Sequence, residues 1–318
     1  MTQVLSREET SKLLKRFSKT GGELEQQYRQ ASDPGYWTFL NPGLTVGSPD
    51  HVDWDRVEPL PDKLIEDAVA NYRTHGFLSL AGVLSLPRIR EMRQAIEKLR
   101  QADWLPVFSF VYDDFWLIGR APKLRKLLTN LLGPAFQLLP RIWTHYVYPA
   151  SGQAGRAPHL DGGAKSVHTT SVWIPLGNAT LTNGCMYLVK RAEQTNDLCN
   201  HYAETETFTR DSVEALLKNT RALPPEPGHV LCWDENILHW GGRFEAGGEP
   251  RVSIALEFTT ADFSPTVVDP LLIDTLASPP RLEVRLQAIG RAISRYYQFE
   301  PLIERFAPLA KRLCQISI

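Results

Sequence analysis

Two segments of this 318-residue chain carry side chains of the types that bind metal ions. The first is Ala157-Pro-His-Leu-Asp-Gly-Gly163, with His159 and Asp161 two residues apart. Extended backbone sends residues i and i+2 to one face, so the imidazole and the carboxylate would project together, with Leu160 facing away. The second is Trp233-Asp-Glu-Asn-Ile-Leu-His239-Trp-Gly-Gly242, in which His239 is expected to close an apolar strand at a Gly-Gly turn. Two histidines and one carboxylate can occupy one face of an octahedral Fe(II) and leave three positions open. Zinc accepts the same donors. His159 and Asp161 alone are also compatible with a simple imidazole–carboxylate hydrogen bond.

A third segment, Arg251-Val-Ser253, follows the hairpin-like Phe244-Glu-Ala-Gly-Gly-Glu-Pro250. Alternation puts Arg251, Ser253 and Ala255 on one face and Val252, Ile254 and Leu256 on the other. A guanidinium inside a barrel is costly to bury without a partner. Its planar fork suits a carboxylate. That carboxylate belongs either to a protein Asp or Glu or to the distal end of 2-oxoglutarate, whose other end chelates iron. In Arg141-Ile-Trp-Thr-His-Tyr-Val-Tyr148, Trp143, His145 and Val147 share a face, so His145 reads as a contact near the metal or as a core histidine. His168 lies on a strand on which either Thr169, Ser171 and Trp173 or His168, Thr170 and Val172 face inward. Trp240 walls the pocket or caps the barrel. His51, His75, His201 and His229 fit surface, capping or structural roles.

The elements that must position these groups are legible in outline. Ser6-Arg-Glu-Glu9 is a capping-box pattern; Leu13, Leu14 and Phe17 follow as an apolar stripe, which Gly21-Gly22 stops. Residues 34–61 read as an ordered arm, because a flexible linker would rarely combine Tyr36, Trp37, Phe39 and Trp54. A helix is predicted over 62–75, with Leu64, Ile65, Ala68, Val69 and Tyr72 on its buried side and Gly76 as terminator. Further helices are predicted over 86–102 and 122–132, with a short strand over 76–80. From 135 to 262, short runs rich in Val, Ile, Thr, Tyr and Trp alternate with turn residues, over 138–148, 165–176, 184–190, 229–238 and 251–259. Many short strands with turn signals favour a sandwich or barrel over a parallel sheet. Residues 203–222 interrupt them with helical texture, and 281–314 return to helix.

Composition narrows the rest. Hydrophobic residues are 43% and charged residues 22%, which excludes a disordered or low-complexity chain. A net charge of −1 argues against nucleic-acid binding by bulk charge. Cys185, Cys199, Cys232 and Cys314 form no C-x-x-C, so neither a disulfide framework nor a structural zinc site is expected, and a reducing compartment fits. The opening MTQVLSREET lacks a secretory pattern, so a cytoplasmic location is expected; no apolar run is long enough to span a membrane. Segment 281–314 carries seven basic and three acidic residues at helical apolar spacing. Packing on the barrel, a dimer interface and peripheral contact with an anionic membrane compete for it.

The order H-x-D, distant His, then R-x-S in a β-rich frame resembles the Fe(II)/2-oxoglutarate-dependent oxygenases. The surrounding text resembles the phytanoyl-CoA dioxygenase (PhyH)-like family. Asn71-Tyr-Arg-Thr-His-Gly-Phe-Leu-Ser-Leu80 with Gly82-Val-Leu-Ser85, then Ser171-Val-Trp-Ile-Pro-Leu176 and Thr182-Asn-Gly-Cys-Met-Tyr-Leu188, carry the resemblance over about 66–262. Where the family often ends this last run in Gly-Ser-His, the chain reads Lys190-Arg-Ala-Glu193. The resemblance implies a mainly β protein with flanking helices, a double-stranded β-helix (jelly roll, cupin-like). It implies His159, Asp161 and His239 as the catalytic iron ligands, and Arg251, Ser253 and His145 around 2-oxoglutarate. Dioxygen, 2-oxoglutarate and substrate would give succinate, carbon dioxide and an oxidised product. A carboxylate at Asp161 disfavours halogenation, which in related enzymes needs a small residue there; hydroxylation, desaturation and ring closure share these ligands. The expected organisation is an N-terminal arm (1–61), an oxygenase domain (62–262) and a C-terminal helical extension (263–318), in a monomer or homodimer. The expected partner is a small molecule, handled in a biosynthetic tailoring step; the alternatives are a lipid or glycolipid headgroup at a membrane surface, and a non-catalytic or zinc-bound barrel. The aromatics of 34–54 and 104–118 are expected to shape the active-site entrance or to cover the barrel's outer face.

Overall fold

The computed structural model describes residues 21–48, 52, 54, 60–148, 157–161, 169–192, 198, 201–202, 205, 207–245, 248–263, 272–274, 278–297 and 301–316. The Ser6–Glu9 capping pattern, His51, His168 and the Gly162-Gly163 pair lie outside them. Eight strands form two antiparallel sheets among the described residues. The larger has the order β1 (Phe77–Leu80), β6 (Val230–Asp234), β3 (Thr169–Pro175), β8 (Arg251–Thr259), β2 (Gln137–Val147). The smaller is β5 (Thr220–Leu223), β4 (Met186–Val189), β7 (His239–Gly241).

Register decides what each face of the larger sheet does. Trp173 pairs with Ala255 and Leu231, and Trp233 with Ser171 and Phe77. These inward residues join Cys185, Met186 and Leu188 of the smaller sheet in one apolar cluster. The alternate residues Leu78, Val172, Ile174, Cys232, Val252, Ile254, Leu256 and Phe258 pack instead into the cluster that holds the helices. Both faces of β3 and β8 are therefore covered: all seven residues of β3 are buried, and β8 alternates Arg251, Ser253, Ala255 and Glu257 inward with Val252, Ile254, Leu256 and Phe258 outward.

The helices are α1 (Gly21–Ala31), α2 (Pro34–Leu40), α3 (Asp62–His75), α4 (Leu86–Gln101), α5 (Asp113–Trp116), α6 (Pro122–Leu132), α7 (Arg210–Asn219), α8 (Leu282–Tyr296) and α9 (Ala307–Leu313). α3, α4 and α6 follow the predicted boundaries. Leu64 departs from its expected face: it is 48% exposed, while Ile65 and Val69 carry the packing of α3. Gly21-Gly22 open a helix. β5, a four-residue strand directly after α7, carries no sequence signal because it reads Thr-Arg-Ala-Leu and only half-buries itself.

Trp37, Trp104, Phe108 and Tyr112 form one ring cluster, with Trp37 and Trp104 centroids 4.8 Å apart. Phe110, Phe115 and Trp116 form another. All belong to the core on the outer face of the larger sheet, so the entrance expectation is corrected: these aromatics cover the sheet. α8 seals the same layer. Its Arg285 forms a buried ion pair with Asp113 and donates to the Val111 carbonyl at 2.7 Å; Asp113 in turn accepts from the Gly47 and Ser48 amides. The apolar sides of α8 and α9 face this packing. Among the described residues, no helix is long and apolar enough to cross a membrane.

Trp37→Ala should cost about 3–5 kcal/mol of stability, the usual range for deleting a fully buried indole. Denaturant unfolding measures it, and metal affinity of the folded protein should stay as in the wild type, since Trp37 lies across the sheet from the inward face.

Candidate metal centre

His159 and His239 face each other across a main-chain bridge. Each amide donates to the other's carbonyl at 3.0 Å, as in an isolated antiparallel pair. His239 thus opens β7 after a turn from Asp234, and does not close the preceding strand as expected. His159 lies in an isolated bridge outside the named strands, yet it still shares a side with Asp161. The three residues place one donor atom each within 4.8 Å of one another. Asp161 Oδ1 is 3.8 Å from His159 Nε2, and its Oδ2 is 3.5 Å from His239 Nε2.

Both imidazoles are oriented through their other nitrogen. His159 Nδ1 lies 2.8 Å from the Ala157 carbonyl and His239 Nδ1 lies 2.9 Å from the Ile237 carbonyl. A carbonyl only accepts, so each Nδ1 carries a proton and each Nε2 is turned toward Asp161. Asp161 is held as firmly: its Oδ2 accepts from Ser171 Oγ at 2.6 Å and from Trp233 Nε1 at 2.9 Å. Burial alone would push this carboxyl up. The His239 and His159 imidazoles, together with the Ser171 and Trp233 donors, outweigh it and hold the pKa at about 2. The donor set of one ionised carboxylate and two imidazoles turned toward it fits a divalent ion.

Two glycines fix the backbone around it. Gly76 has φ +82, and a Cβ there would lie 2.3 Å from Ile237 Cδ1, in the residue whose carbonyl orients His239. Gly184 has φ +87, and a Cβ there would strike the Gly242 carbonyl at 2.5 Å, just past β7. The Tyr202 hydroxyl donates to the Pro158 carbonyl and pins the segment that carries His159.

Arg251 and Ser253 point inward, as their alternation predicts. Arg251 is 2% exposed, with Nη1 3.7 Å from Met186 Sδ and its guanidinium 5.7 Å from the Trp173 ring centre. Ser253 is fully buried and its Oγ has no hydrogen-bond partner among the described residues; the same is true of Trp173 Nε1. His145 pairs with Ser253 across β2–β8, on this same face. Trp240 faces away and stacks on Tyr187 at 5.6 Å and 7°, so it caps the outside of the smaller sheet.

The sequence reading missed Ser171 and Trp233 as the groups that hold Asp161, and left open which face of β3 turns inward. It also missed Glu257, which faces Ser171 across β3–β8 and binds Arg141 at 2.8 Å. Burial, and then the nearby Asp161 charge, push the Glu257 carboxyl up to about 7 against the pull of Arg141 and Arg295. Ser171 and Trp233 stand in motif-bearing segments, but only cross-strand register turns them toward Asp161; Glu257 shares the face of Arg251 and Ser253 by alternation along β8.

Fold and triad together define the metal-binding class of double-sheet proteins with a His-Asp-His centre. The family model described as phytanoyl-CoA dioxygenase (PhyH) matches residues 112–252, a span that contains the triad and Arg251. Over that span the chain is similar to the phytanoyl-CoA dioxygenase family. Among solved structures it is similar to the nickel complex of the non-heme monooxygenase ThoJ, with 17% identity, 75% of this chain and 100% of that chain covered, and a TM-score of 0.51. It is also similar to the non-heme alpha ketoglutarate dependent carbocyclase SnoK from nogalamycin biosynthesis, with 18% identity, 69% and 99% covered, and a TM-score of 0.50. These identities speak to the fold. Comparison with curated proteins gave no significant match.

Trp233→Phe keeps the ring and removes the N–H that holds Asp161. Metal affinity should fall about 10–100-fold, the usual effect of losing a hydrogen bond that orients a ligand; competition against a metal chelator measures it.

Proposed function

We propose that this protein is a non-haem Fe(II)/2-oxoglutarate-dependent oxygenase that hydroxylates a small molecule in a biosynthetic tailoring step. The convergence of His159 Nε2, His239 Nε2 and the Asp161 carboxylate carries the reading. Three protein donors on one side of an ion leave the other side for cosubstrate and dioxygen. The two sheets are read as the major and minor sheets of a double-stranded β-helix.

In this reading His159, Asp161 and His239 hold Fe(II), which supplies the oxidising chemistry when bound together with 2-oxoglutarate and dioxygen. Arg251 binds the distal carboxylate of 2-oxoglutarate, and Ser253 Oγ, buried without a partner, donates to it. His145, opposite Ser253, borders the same cosubstrate. The apolar cluster around Phe77, Leu188, Leu231 and Ile237 keeps bulk water from the centre. Oxygen bookkeeping is that of the class: one atom enters succinate and the other the substrate. A hydrolytic zinc site would leave the buried Arg251 and Ser253 without a function.

Anaerobic addition of Fe(II) and 2-oxoglutarate should produce a visible charge-transfer band that is lost in His159→Ala. Its absence in the wild type would sink the reading. Arg251→Lys keeps the charge but loses the planar fork. It should weaken 2-oxoglutarate binding at least about tenfold, the value of one charge-assisted hydrogen bond, and leave Fe(II) affinity within about twofold.

A further inference from the structure

One inward-facing residue, Glu257, joins the surroundings of the triad to groups at the β2 edge that iron and cosubstrate do not use. Glu257 stands opposite Ser171, the residue that donates to Asp161. Arg141, from the irregular part of β2 between Leu139 and Trp143, binds Glu257 Oε2 at 2.8 Å. Trp143, opposite Ala255 on the face that also carries Glu257, stacks on Tyr296 of α8 with centroids 4.1 Å apart. Arg295, next to Tyr296, acts electrostatically on Glu257. Arg251 and Ser253 lie further along β8, so Glu257 sits on the triad side of the cosubstrate groups.

A mostly buried carboxylate, with its side chain 16% exposed and near the charged Asp161, is unfavourable as a mere structural element. Arg141 offsets that cost through Oε2 and leaves the second carboxylate oxygen of Glu257 as an acceptor. Its partner Arg141 is already engaged with it, so the acceptor oxygens of Glu257 are the local groups suited to a ligand. The adjoining Trp143–Tyr296 stack supplies apolar atoms on the same edge.

Resting on the oxygenase reading, we propose that Glu257, held by Arg141, is the specificity-determining residue of the substrate site. It accepts a hydrogen bond from a hydroxyl or protonated amine on a ring-bearing substrate, while the Trp143–Tyr296 stack contacts the ring. The C-terminal helix α8 thereby forms one wall of the substrate site.

Three matched probes test this: cyclohexylamine, cyclohexanol and cyclohexanecarboxylate, each titrated into the anaerobic Fe(II)–2-oxoglutarate complex of the full chain, with displacement of the charge-transfer band as readout. The wild type should bind the amine and the alcohol more tightly than the carboxylate. Glu257→Gln should weaken the amine about tenfold or more, as loss of a hydrogen bond to a charged group does, and strengthen the carboxylate. Arg141→Gln should act the other way and tighten the amine, a gain that misfolding cannot produce. Tightest binding of the carboxylate by the wild type, or an unchanged ranking in Glu257→Gln, would overturn the proposal. A band that forms while the ranking ignores Glu257 removes only this inference; a wild type with no band removes the oxygenase reading as well.

Discussion

The paired main-chain hydrogen bonds between His159 and His239 are the constraint on which the centre depends. In an antiparallel hydrogen-bonded pair the two Cα atoms lie about 5.5 Å apart with side chains on one side. That spacing is what lets two imidazoles from distant parts of the chain share one ion. Everything around the bridge stabilises it. Gly76 makes room for Ile237, whose carbonyl orients His239, and Tyr202 ties the His159 segment down. The Asn-Gly turn at 183–184 lets Gly242 approach after β7. Asp161 then completes the set from below, held by donors on β3 and β6.

The chemistry was legible in the sequence to the extent that it sits in short motifs. His159 and Asp161 are two residues apart, and Arg251 and Ser253 alternate on one strand, so local geometry alone puts each pair on one face. His239 is legible as a ligand but not as the start of a new strand, because the turn at 234–238 contains Ile237 and Leu238 and looks like a continuing apolar run. Ser171, Trp233, Trp173 and Glu257 were not assigned roles. Their orientation follows from cross-strand register, which a single sequence does not encode where both faces of a strand are apolar. β3 illustrates this: all seven of its residues are buried, so no polar alternation marks its inward side.

The helical half follows a different logic. The aromatics of the arm and of 104–118 look functional in sequence because they are numerous. In the structure they fill the space between the helices and the outer face of the larger sheet. A sheet that buries one face on a metal site and the other on a helical layer needs two cores, and the aromatic residues are the second. The Arg285–Asp113 pair binds α8 into that layer, and the same helix ends at Tyr296 beside Trp143. The apolar residues of α8 and α9 face the protein.

The central claim is that one ion binds between His159, Asp161 and His239 with its remaining positions open to 2-oxoglutarate. An anaerobic crystal structure with Fe(II) and 2-oxoglutarate tests it most directly. The account expects a single iron bound by Nε2 of both histidines and by the Asp161 carboxylate, chelated by 2-oxoglutarate whose far carboxylate meets Arg251 and Ser253. An ion closed off by a fourth protein ligand, or 2-oxoglutarate bound away from Arg251, would contradict it.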